Sequence, residues 1–531
     1  MKKENNVPKE LSKSKWWQSP LFYSLLSVAL LSLPWLVGLS FLSLVGWVPL
    51  LLLREKLQRE GRRGFLWWVT LTIMLWHIAT CFWVSFATVF AAPAVPIVCW
   101  SMLWWGWVAY HRVAKFASKA LSYTVLVTGW VVGEWWLASG DFGFGWLQLG
   151  SAWATQPFMV QWYKLFGVFG GTLWVMLCNV LIYEVLSTRQ TLRRALREKV
   201  ADITSYSKKL RGVKIRAAVV VVLPVLLSCA MYFTEDVEEG DKIQVAVIQP
   251  NVDAYQKFKS GTAAQQIQNM IALASQADTS TLLYVAPETA IASRVDLRTI
   301  DSHPQVASIQ RFLSGCPKGA LFIIGASTSD GKDFYNSVLY IHSDRVAVYH
   351  KRKLVYGVEV VHKWVESLAG MIDLGGYVGS LGRSTESLVA EAGDAPVGAV
   401  VCYESIYGEL MSEWVMDGAQ LLAVITNDGW WGDTPGYRQH FSYARLRAVE
   451  NGRWIVRSAN TGISGIINSR GDVIESMGWD KEGIIIASVP LKKDITPYTA
   501  WGDIVLRISA LVLALSLLFS VSLWYRNKAN G

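Results

Sequence analysis

Three residues of the sequence, Glu288, Lys351 and Cys402, carry side chains that together can break and form an acyl bond. Each stands just past the end of a predicted strand, in the segments APETA, YHKRKLV and VVCYES. A cysteine thiolate is a nucleophile for acyl transfer, and a nearby base or cation must assist its ionisation. A glutamate can take the thiol proton and return it to the leaving group. A lysine ammonium can stabilise the oxyanion, a contribution on the order of 3 kcal/mol. The pattern therefore predicts amide or ester chemistry through a thioester.

Each of these residues also fits a structural role without chemistry. Cys402 fits a buried core thiol, and Glu288 fits an acid that caps a helix. Lys351 fits a solvated basic patch with its neighbours Arg352 and Lys353. Residues at the strand ends of a layered α/β fold can converge on one crevice, and three suitable groups in such places favour the catalytic interpretation.

The segment that carries these residues has the periodicity of a layered α/β fold. From residue 241 onward, short β-rich apolar runs alternate with helical patterns. The predicted strands are 243–249, 282–286, 320–326, 334–341, 345–350, 396–401, 421–426, 454–458 and 463–468. The predicted helices are 262–277, 304–314, 404–417 and 437–451. A Gly-rich stretch at 355–390 is predicted to be a long loop, in which residues 365–383 are either a mobile gate or a plain disordered loop.

The composition excludes a wholly soluble protein. Of the 531 residues, 52% are hydrophobic and 17% are charged, against about 25% charged in a typical soluble domain. The net charge of +9 divides unevenly, because residues 1–236 carry 24 basic and 11 acidic side chains and residues 237–531 carry 26 and 30. The first part also holds 19 of the 27 tryptophans, as expected for membrane interfaces. The basicity therefore does not predict nucleic-acid binding.

The cysteines and histidines predict neither a disulfide framework nor a metal site, and no cofactor is expected. The six cysteines contain no CxxC pair, and four of them lie in apolar runs as small buried hydrophobes. The seven histidines form no ligand cluster in the sequence.

Uncharged runs and their basic flanks predict eight transmembrane helices. Residues 21–53 are too long for one span and have basic flanks on both sides, so they fit a hairpin of two. Residues 64–111 fit a second hairpin with its outer turn at Pro93 and Pro96. The first run is too long for a signal peptide and lacks a small-residue cleavage site, so a retained anchor is expected. The remaining predicted spans are 120–139, 166–186, 215–233 and 504–524.

These spans divide the chain into five parts. They are a cytoplasmic N-terminal segment (1–20), seven transmembrane helices (21–234), an exported catalytic domain (235–502), an eighth transmembrane helix (503–525) and a cytoplasmic tail (526–531). The second part includes an interfacial or re-entrant segment (140–165) and a basic cytoplasmic loop (188–214). Glu134, near the outer end of the fifth span, fits either a functional or a hydrogen-bonded structural role.

Several motifs follow one another in a specific order along the chain. They are VAVIQPNV at the domain start, APETA, a lysine followed eight residues later by Glu359, CYES, TNDGWWG at 426–432, QHFSYARLRAVENGR at 439–453 and RSANTGISG at 457–465. These motifs resemble the nitrilase superfamily and most closely its membrane-embedded branch, the apolipoprotein N-acyltransferases, over nearly the whole chain. Two loops depart from the family pattern, since KRKLVYGVE lacks the usual proline after LV and FGFGWLQLG has Gly145 in place of a proline.

The resemblance implies an α-helical membrane bundle of eight transmembrane helices with a nitrilase-like αββα sandwich inserted before the last helix. It implies a multi-pass protein of the bacterial cytoplasmic (inner) membrane, with a periplasmic catalytic domain and both termini in the cytoplasm. Cys402 is then the nucleophile, Glu288 the general base and Lys351 the oxyanion-stabilising residue. Four further residues match positions of the family's active site, with Glu359 expected to orient the lysine: Glu359, Glu404, Tyr403 and Phe258. A helix-start acid for Glu404 and simple packing for Tyr403 and Phe258 are the alternatives.

The reaction implied by the resemblance is a ping-pong acyl transfer at the last step of lipoprotein maturation. A phospholipid is the acyl donor, the α-amino group of an S-diacylglyceryl cysteine at the start of a lipoprotein is the acceptor, and the enzyme is expected to act as a monomer in the bilayer. Three alternatives stay open: a membrane-tethered amidase or nitrilase, a Cys-His hydrolase using His350 or His440, and a transporter or receptor with an inactive sensing domain.

Overall fold

The first part of the chain forms a bundle of mostly apolar helices. The computed structural model describes residues 16–87, 91–139, 143–200, 202–253, 257, 261–356, 358–360 and 381–529. The first eight helices are α1 (Pro20–Val37), α2 (Val48–Arg59), α3 (Phe65–Cys81), α4 (Val84–Ala87), α5 (Ala91–Val113), α6 (Lys119–Ser139), α7 (Tyr163–Arg197) and α8 (Ile203–Thr234). Their interior is rich in buried tryptophan, with the Trp47 ring in contact with those of Trp76, Trp107 and Trp130.

Within the described residues, five helices are long and apolar enough to cross a membrane, which is fewer than the eight predicted. They are α1, α5 from Ala92 onward, α7, α8 and the last helix of the chain, Ile504–Ala529. The apolar helix α3 is shorter. The second arm of the predicted hairpin at 21–53 is divided into a 3-10 helix at Ser40–Val45 and the twelve-residue helix α2. Length and hydropathy of single helices thus support a membrane protein without fixing eight spans.

One predicted turn was wrong, and one predicted loop has a different local structure. Pro93 and Pro96 lie inside α5 and do not form a turn; a proline in the first helical turn has no hydrogen bond to lose, and Pro96 removes only one. The predicted basic loop 188–214 is mostly helical, since α7 continues to Arg197 and α8 begins at Ile203. Its Arg, Lys, Leu and Gln residues have high helix propensity, so the two helices extend beyond their apolar parts.

The segment predicted to be interfacial, residues 140–165, is irregular from residue 143 to residue 162, after which α7 begins, and contains two 3-10 helices, Leu149–Trp153 and Pro157–Met159. Glu134 holds it in place. This buried carboxylate accepts hydrogen bonds from the Trp130 indole (2.7 Å), the Leu149 backbone N–H (2.8 Å) and the Thr172 hydroxyl (2.6 Å). These contacts favour the structural role over the functional one, because the acid joins α6, the irregular segment and α7.

The second part of the chain is an α/β domain with two sheets packed face to face. Its strands are β1 (Lys242–Gln249), β2 (Leu283–Val285), β3 (Ile291–Asp296), β4 (Leu321–Ser329), β5 (Phe334–Ile341), β6 (Val346–His350), β7 (Val389–Ala392), β8 (Ala395–Val401), β9 (Leu421–Thr426), β10 (Ile455–Ala459), β11 (Ser464–Ile467), β12 (Val473–Met477) and β13 (Gly483–Pro490). The first sheet has the order β13-β1-β2-β4-β5-β6, with β3 paired to β4, and the second has the order β12-β11-β10-β9-β8-β7. Apolar residues of both inner faces form one core.

Helices cover the outer faces of the sheets and complete the layered architecture. Helices α9 (Ala263–Ala274) and α10 (Pro304–Leu313) pack on the first sheet, and α11 (Gly408–Met416) and α12 (Pro435–Asn451) pack on the second. The chain then passes through α13 (Pro497–Trp501) into α14 (Ile504–Ala529). The predicted helix at 404–417 begins only at Gly408, because residues Cys402–Ile406 form a 3-10 turn.

The two parts of the chain are joined by a direct contact at a break in α7. Gly167 interrupts this helix with φ 62°, and a Cβ atom there would lie 2.2 Å from the Tyr498 ring. The amide of the next residue, Val168, donates a 2.8 Å hydrogen bond to Glu450 of α12. Only glycine combines this backbone conformation with such a close approach. An acid of the α/β domain therefore satisfies a backbone donor of the helical bundle.

Candidate active site

The three residues singled out in the sequence lie together between the two sheets. Glu288 follows β2, Lys351 follows β6 and Cys402 follows β8, so both sheets contribute to one crevice. The Lys351 Nζ lies 3.5 Å from Glu288 Oε1, and all three side chains are buried. Parallel strands such as β8 and β9 direct their carboxyl ends to the same edge, which places the following residues at the site.

The Glu288 carboxylate is held by three donors. Its Oε1 accepts a 2.7 Å hydrogen bond from the Asn336 amide and faces Lys351, while its Oε2 accepts a 3.0 Å bond from the Asn427 backbone N–H. These donors hold both carboxylate oxygens in place. The arrangement therefore keeps an acceptor for a proton in a fixed orientation.

Lys351 lies between two carboxylates. Its Nζ is 2.9 Å from Glu359 Oε2 and 3.5 Å from Glu288 Oε1. Burial acts to lower the pKa of this lysine, but Glu359 and Glu288 outweigh it and raise the pKa above its usual value. The Asn336 amide also bridges both acids, at 2.7 Å from each. Lys351 is thus a fixed ammonium group and does not act as a base.

Glu359 reaches the lysine although its turn lacks the family's proline. The Glu359 backbone N–H donates to the Val355 carbonyl (2.8 Å), and its carboxylate accepts from the Val355 N–H (2.8 Å). This reciprocal pair closes the turn without a proline. Residue 357 and residues 361–380 lie outside the described residues, and with them most of the predicted Gly-rich gate.

Cys402 occupies a sharp turn directly after β8. Its φ of 50° is in the left-handed region, which costs a non-glycine residue on the order of 1 to 2 kcal/mol. Burial, followed by the charge of Glu288, raises the pKa of the thiol above its usual value, while Lys351 lowers it. The thiol is therefore neutral in the resting site, and it must lose its proton during attack. The left-handed backbone conformation of Cys402 is strained, and such strain persists only where surrounding contacts hold it.

Glu404 ties this turn to the strand that precedes Lys351. Its Oε2 accepts from the Val401 N–H (2.8 Å), and its Oε1 accepts from the Tyr349 hydroxyl and the Arg352 N–H (both 2.7 Å). Burial raises the pKa of Glu404, and these hydrogen bonds oppose that rise. The carboxylate therefore fixes the distance between the cysteine turn and the lysine.

Tyr403 faces the helical bundle. Its hydroxyl donates to the Gly143 carbonyl at 2.8 Å, and its ring is stacked on Trp146 with centroids 6.2 Å apart. Trp146 continues the aromatic contact to Trp83 (4.7 Å) and Trp431 (5.6 Å). Phe258, the other predicted aromatic residue, lies outside the described residues. An aromatic wall thus connects the cysteine turn with the membrane half of the chain.

The structure brings in residues that the sequence did not single out. Lys257 is 2% exposed, and its Nζ contacts the Thr289 hydroxyl and lies 3.4 Å from the Glu288 carbonyl. Burial lowers the pKa of Lys257 to about 8, although Glu288 opposes this shift. Asn336 is the second such residue. Two polar side chains, Asn336 and Ser337, inside a predicted strand were the available signal for Asn336, whereas Lys257 is brought to Glu288 by a long-range contact.

Asp428 and His440 lie beside Cys402 and form with it a set of potential metal ligands, with atoms within 4.8 Å of one another. However, the Arg457 guanidinium lies 2.8 Å from Asp428 and 3.0 Å from the His440 ring. Burial acts to raise the pKa of Asp428, but Arg457 and then His440 outweigh it and lower the pKa to about 2. The charge of Asp428 is therefore already compensated, and the donor set does not fit a cation.

The contacts of the two histidines argue against a Cys-His hydrolase. His350 Nδ1 lies 2.7 Å from the Ser337 hydroxyl, and its ring is stacked on Tyr335. His440 Nε2 lies 3.1 Å from the backbone carbonyl oxygen of Cys402. Among the described residues, neither ring is hydrogen-bonded to the Cys402 sulfur, whereas Glu288 and Lys351 both act on the thiol electrostatically.

Two face-to-face sheets with a buried Glu, Lys and Cys at their strand ends are the arrangement that the resemblance to the nitrilase superfamily implies. The family model for the carbon-nitrogen hydrolases matches residues 244–495, and the model for the apolipoprotein N-acyltransferase N-terminal domain matches residues 27–181.

Relatives match over most of the chain. The apolipoprotein N-acyltransferase of Methylococcus capsulatus is 30% identical over 418 residues, which cover 75% of this chain and 74% of the relative. That of Chlorobaculum tepidum is 27% identical over 545 residues, covering 93% and 95%. The chain belongs to the apolipoprotein N-acyltransferase family. A carbon-nitrogen hydrolase superfamily protein of Xanthomonas campestris is a more distant structural neighbour, with 16% identity, a TM-score of 0.35 and coverage of 47% of this chain and 91% of that protein.

Proposed function

We propose that this protein transfers an acyl chain from a membrane phospholipid, through a thioester on Cys402, to the N-terminal amine of an S-diacylglyceryl-cysteine lipoprotein. The observation that carries this proposal is the buried cluster of Glu288, Lys351 and Cys402, which adjoins an aromatic wall leading to the apolar helices. A water-soluble amidase has no need of such a wall. Lipoprotein N-acylation is the activity for which the relatives from both bacteria are named.

In the first half-reaction, Glu288 removes the thiol proton as the sulfur attacks the ester carbonyl carbon of the phospholipid. The oxyanion that forms faces the Lys351 ammonium, which is fixed before the reaction and needs no reorganisation. Collapse of the intermediate breaks the ester C–O bond, and Glu288 returns its proton to the departing lysophospholipid alkoxide. The product is a thioester on Cys402.

In the second half-reaction, a neutral lipoprotein amine attacks the thioester carbonyl carbon. Glu288 takes a proton from the attacking nitrogen and returns it to the departing sulfur, so an amide and the free thiol result. No cofactor or metal takes part in either step. This sequence is a ping-pong mechanism, in which the first product leaves before the second substrate reacts.

The supporting residues have positioning roles in this proposal. Glu359 orients Lys351 through its 2.9 Å ion pair, and Glu404 holds the cysteine turn against the lysine strand. Tyr403 forms part of the wall along which an acyl chain passes, and Phe258 stays a residue expected at the active site from the family resemblance alone. One chain supplies all three reacting residues, which is consistent with a monomer.

The proposed topology has eight crossings with a periplasmic catalytic domain (235–502) and cytoplasmic termini. The five long apolar helices provide five crossings, and α3, α6 and the pair formed by Ser40–Val45 and α2 provide three. Basic residues cluster at the predicted cytoplasmic ends, as the positive-inside rule requires. The parts of the chain proposed with this topology are the N-terminal segment (1–20), the seven transmembrane helices (21–234), the catalytic domain (235–502), the eighth transmembrane helix (503–525) and the C-terminal tail (526–531).

Intact-mass measurement of the purified protein with phospholipid tests the proposed function. We expect one added acyl mass that disappears with neutral hydroxylamine, and whose chain then appears as an amide when a diacylglyceryl-cysteine peptide is added. Cys402→Ala is the negative control because it lacks the sulfur. An adduct that decays to free fatty acid at the same rate with and without peptide would instead identify a hydrolase. An active protein without adduct would contradict the thioester.

The topology is tested by single cysteines in a background lacking the six native ones, labelled in intact cells with a membrane-impermeant maleimide. Exposed positions such as Lys332 in the catalytic domain and Lys208 in α8 form a matched pair. We expect labelling at position 332 once the outer membrane is permeabilised, and labelling at 208 only after the inner membrane is also opened. Equal labelling of both positions before that point would contradict the topology.

A further inference from the structure

We propose that His440 is a positioning residue for the nucleophile, whose ring, aligned by Asp428 and Arg457, holds the backbone carbonyl of Cys402 and so maintains the strained turn that directs the thiol. This inference rests on the proposed function, because it assigns to His440 a part in the acylation of Cys402. It differs from a catalytic role, since the ring does not touch the reacting sulfur through a hydrogen bond.

The first half of the argument is the contact with the cysteine turn. His440 Nε2 lies 3.1 Å from the Cys402 carbonyl oxygen and 3.0 Å from the Ser405 hydroxyl oxygen. The same hydroxyl donates a 2.7 Å hydrogen bond to the Cys402 carbonyl. The left-handed residue is therefore held through its carbonyl from two directions, by its own 3-10 turn and by α12.

The second half is the set of contacts that orients the ring. His440 Nδ1 lies 2.8 Å from Asp428 Oδ1, and Asp428 Oδ2 lies 2.8 Å from the Arg457 guanidinium. The Thr426 hydroxyl donates a further 2.8 Å bond to the aspartate. All three charged or ionisable side chains are fully buried, and they come from α12, the end of β9 and β10. Three elements thus fix one imidazole plane.

The protonation of the ring follows from its neighbours. A carbonyl oxygen has no proton, so its contact with Nε2 is stabilising only when Nε2 carries one. The imidazolium meets this condition and also donates from Nδ1 to Asp428. The neutral form protonated on Nε2 also donates to this carbonyl, but its bare Nδ1, which then accepts from Arg457 at 3.0 Å, faces Asp428 Oδ1 at 2.8 Å with no proton between them. Burial and then Arg457 lower the pKa of His440, and Asp428 opposes them. The contact with Cys402 therefore requires a proton on Nε2, and the imidazolium supplies it while keeping the bond to Asp428.

The ring is also held from the side of the membrane half. Trp146 and Trp431 lie 5.6 and 5.4 Å from the imidazole, centroid to centroid. Rotation of His440 out of its position would require both tryptophans to move. The nucleophile turn and the aromatic wall consequently share one anchoring residue.

The proposal is tested with His440→Leu and His440→Gln in the full-length protein, by single-turnover acylation with phospholipid followed by intact mass. Leu removes the donor, and we expect the acylation rate at saturating phospholipid to fall on the order of 10²-fold, as misplacement of a reacting group does, with an unchanged KM for phospholipid. Gln keeps an N–H donor without a titrating ring, and its rate should return to within about tenfold of the wild type with an unchanged pH profile. Equal losses in both variants would overturn the proposal in favour of proton transfer by the ring, and a Leu variant as fast as wild type would also overturn it.

His342→Leu is the matched control. This buried histidine likewise contacts a backbone carbonyl, that of Ala320 at 3.1 Å, but it follows β5 at the end opposite Asn336.

If His440→Leu does not fold, the single variant Ser405→Ala and the double variant Ser405→Ala/His440→Gln test the proposal, because Ser405 and His440 both donate to the Cys402 carbonyl. A double loss larger than the product of the single losses is expected, and independent effects would contradict the proposal. Failure of the proposed function is separate, since the wild-type protein would then form no acyl adduct.

Discussion

Replacing Glu288 by Gln is expected to lower the rate of Cys402 acylation on the order of 10³- to 10⁴-fold, at the upper end of what general base catalysis contributes. The reason is the state of the nucleophile. Burial raises the pKa of the Cys402 thiol, so attack needs a group that accepts the proton at that moment. Glu288 is the proposed acceptor of the thiol proton. The amide group of glutamine cannot accept that proton. Single-turnover acylation monitored by intact mass measures this loss directly.

The Glu288→Gln variant should still fold. Its amide oxygen can accept one of the bonds now made by Asn336 and the Asn427 N–H, although its NH2 group then faces a donor. Glu475→Gln is the control, because this acid lies exposed on β12. A Glu288→Gln protein that forms the adduct at the wild-type rate would show that another group removes the proton.

Replacing Lys351 by Met should have two separate effects. Loss of a preorganised cation at the oxyanion should slow acylation on the order of 10²- to 10³-fold. In addition, Glu288 and Glu359 would face each other across a buried site without the ammonium that now lies 3.5 and 2.9 Å from them. Removing one partner of a buried ion pair typically costs about 3 to 5 kcal/mol of the free energy of unfolding. Single-turnover kinetics and thermal unfolding in detergent measure the two effects independently.

The double variant Lys351→Met/Glu359→Gln separates the two roles of the lysine. Removing the second charge relieves the repulsion between the carboxylates, so we expect much of the lost stability to return while acylation stays slow. If the double variant recovered the acylation rate as well, the lysine would serve only to compensate charge, and its role at the oxyanion would be refuted.

The reacting groups were accessible to sequence reasoning because each one stands within three residues of the end of a short strand. Cys402 follows β8 and Lys351 follows β6, and the direction of a strand end is fixed locally. The groups that support them were not accessible in the same way. Lys257 contacts Glu288, which is 31 residues away in the sequence, and Arg457 contacts Asp428, which is 29 residues away. Such meetings depend on the packing of the two sheets, which no local pattern encodes.

The secondary structure shows the same division between local and long-range causes. The buried strand β9 is a continuous apolar run and was predicted with its exact bounds. The strands β3, β7, β12 and β13 were not predicted. β7 has only four residues, and β12 is exposed along nearly its whole length, so neither has the apolar signal of a core strand. β13 is defined by its antiparallel pairing with β1, which begins more than 230 residues earlier in the chain.

The break in α7 has a consequence for the biogenesis of the protein. The amide of Val168 emerges from the ribosome 282 residues before Glu450, the acid that accepts its hydrogen bond. This donor of α7 can therefore find its acceptor only after the α/β domain around Glu450 has been synthesised and folded. The packing of α7 at Gly167 thus depends on a folded α/β domain, so an incompletely folded chain differs from the finished one in the helical bundle as well as in the α/β domain.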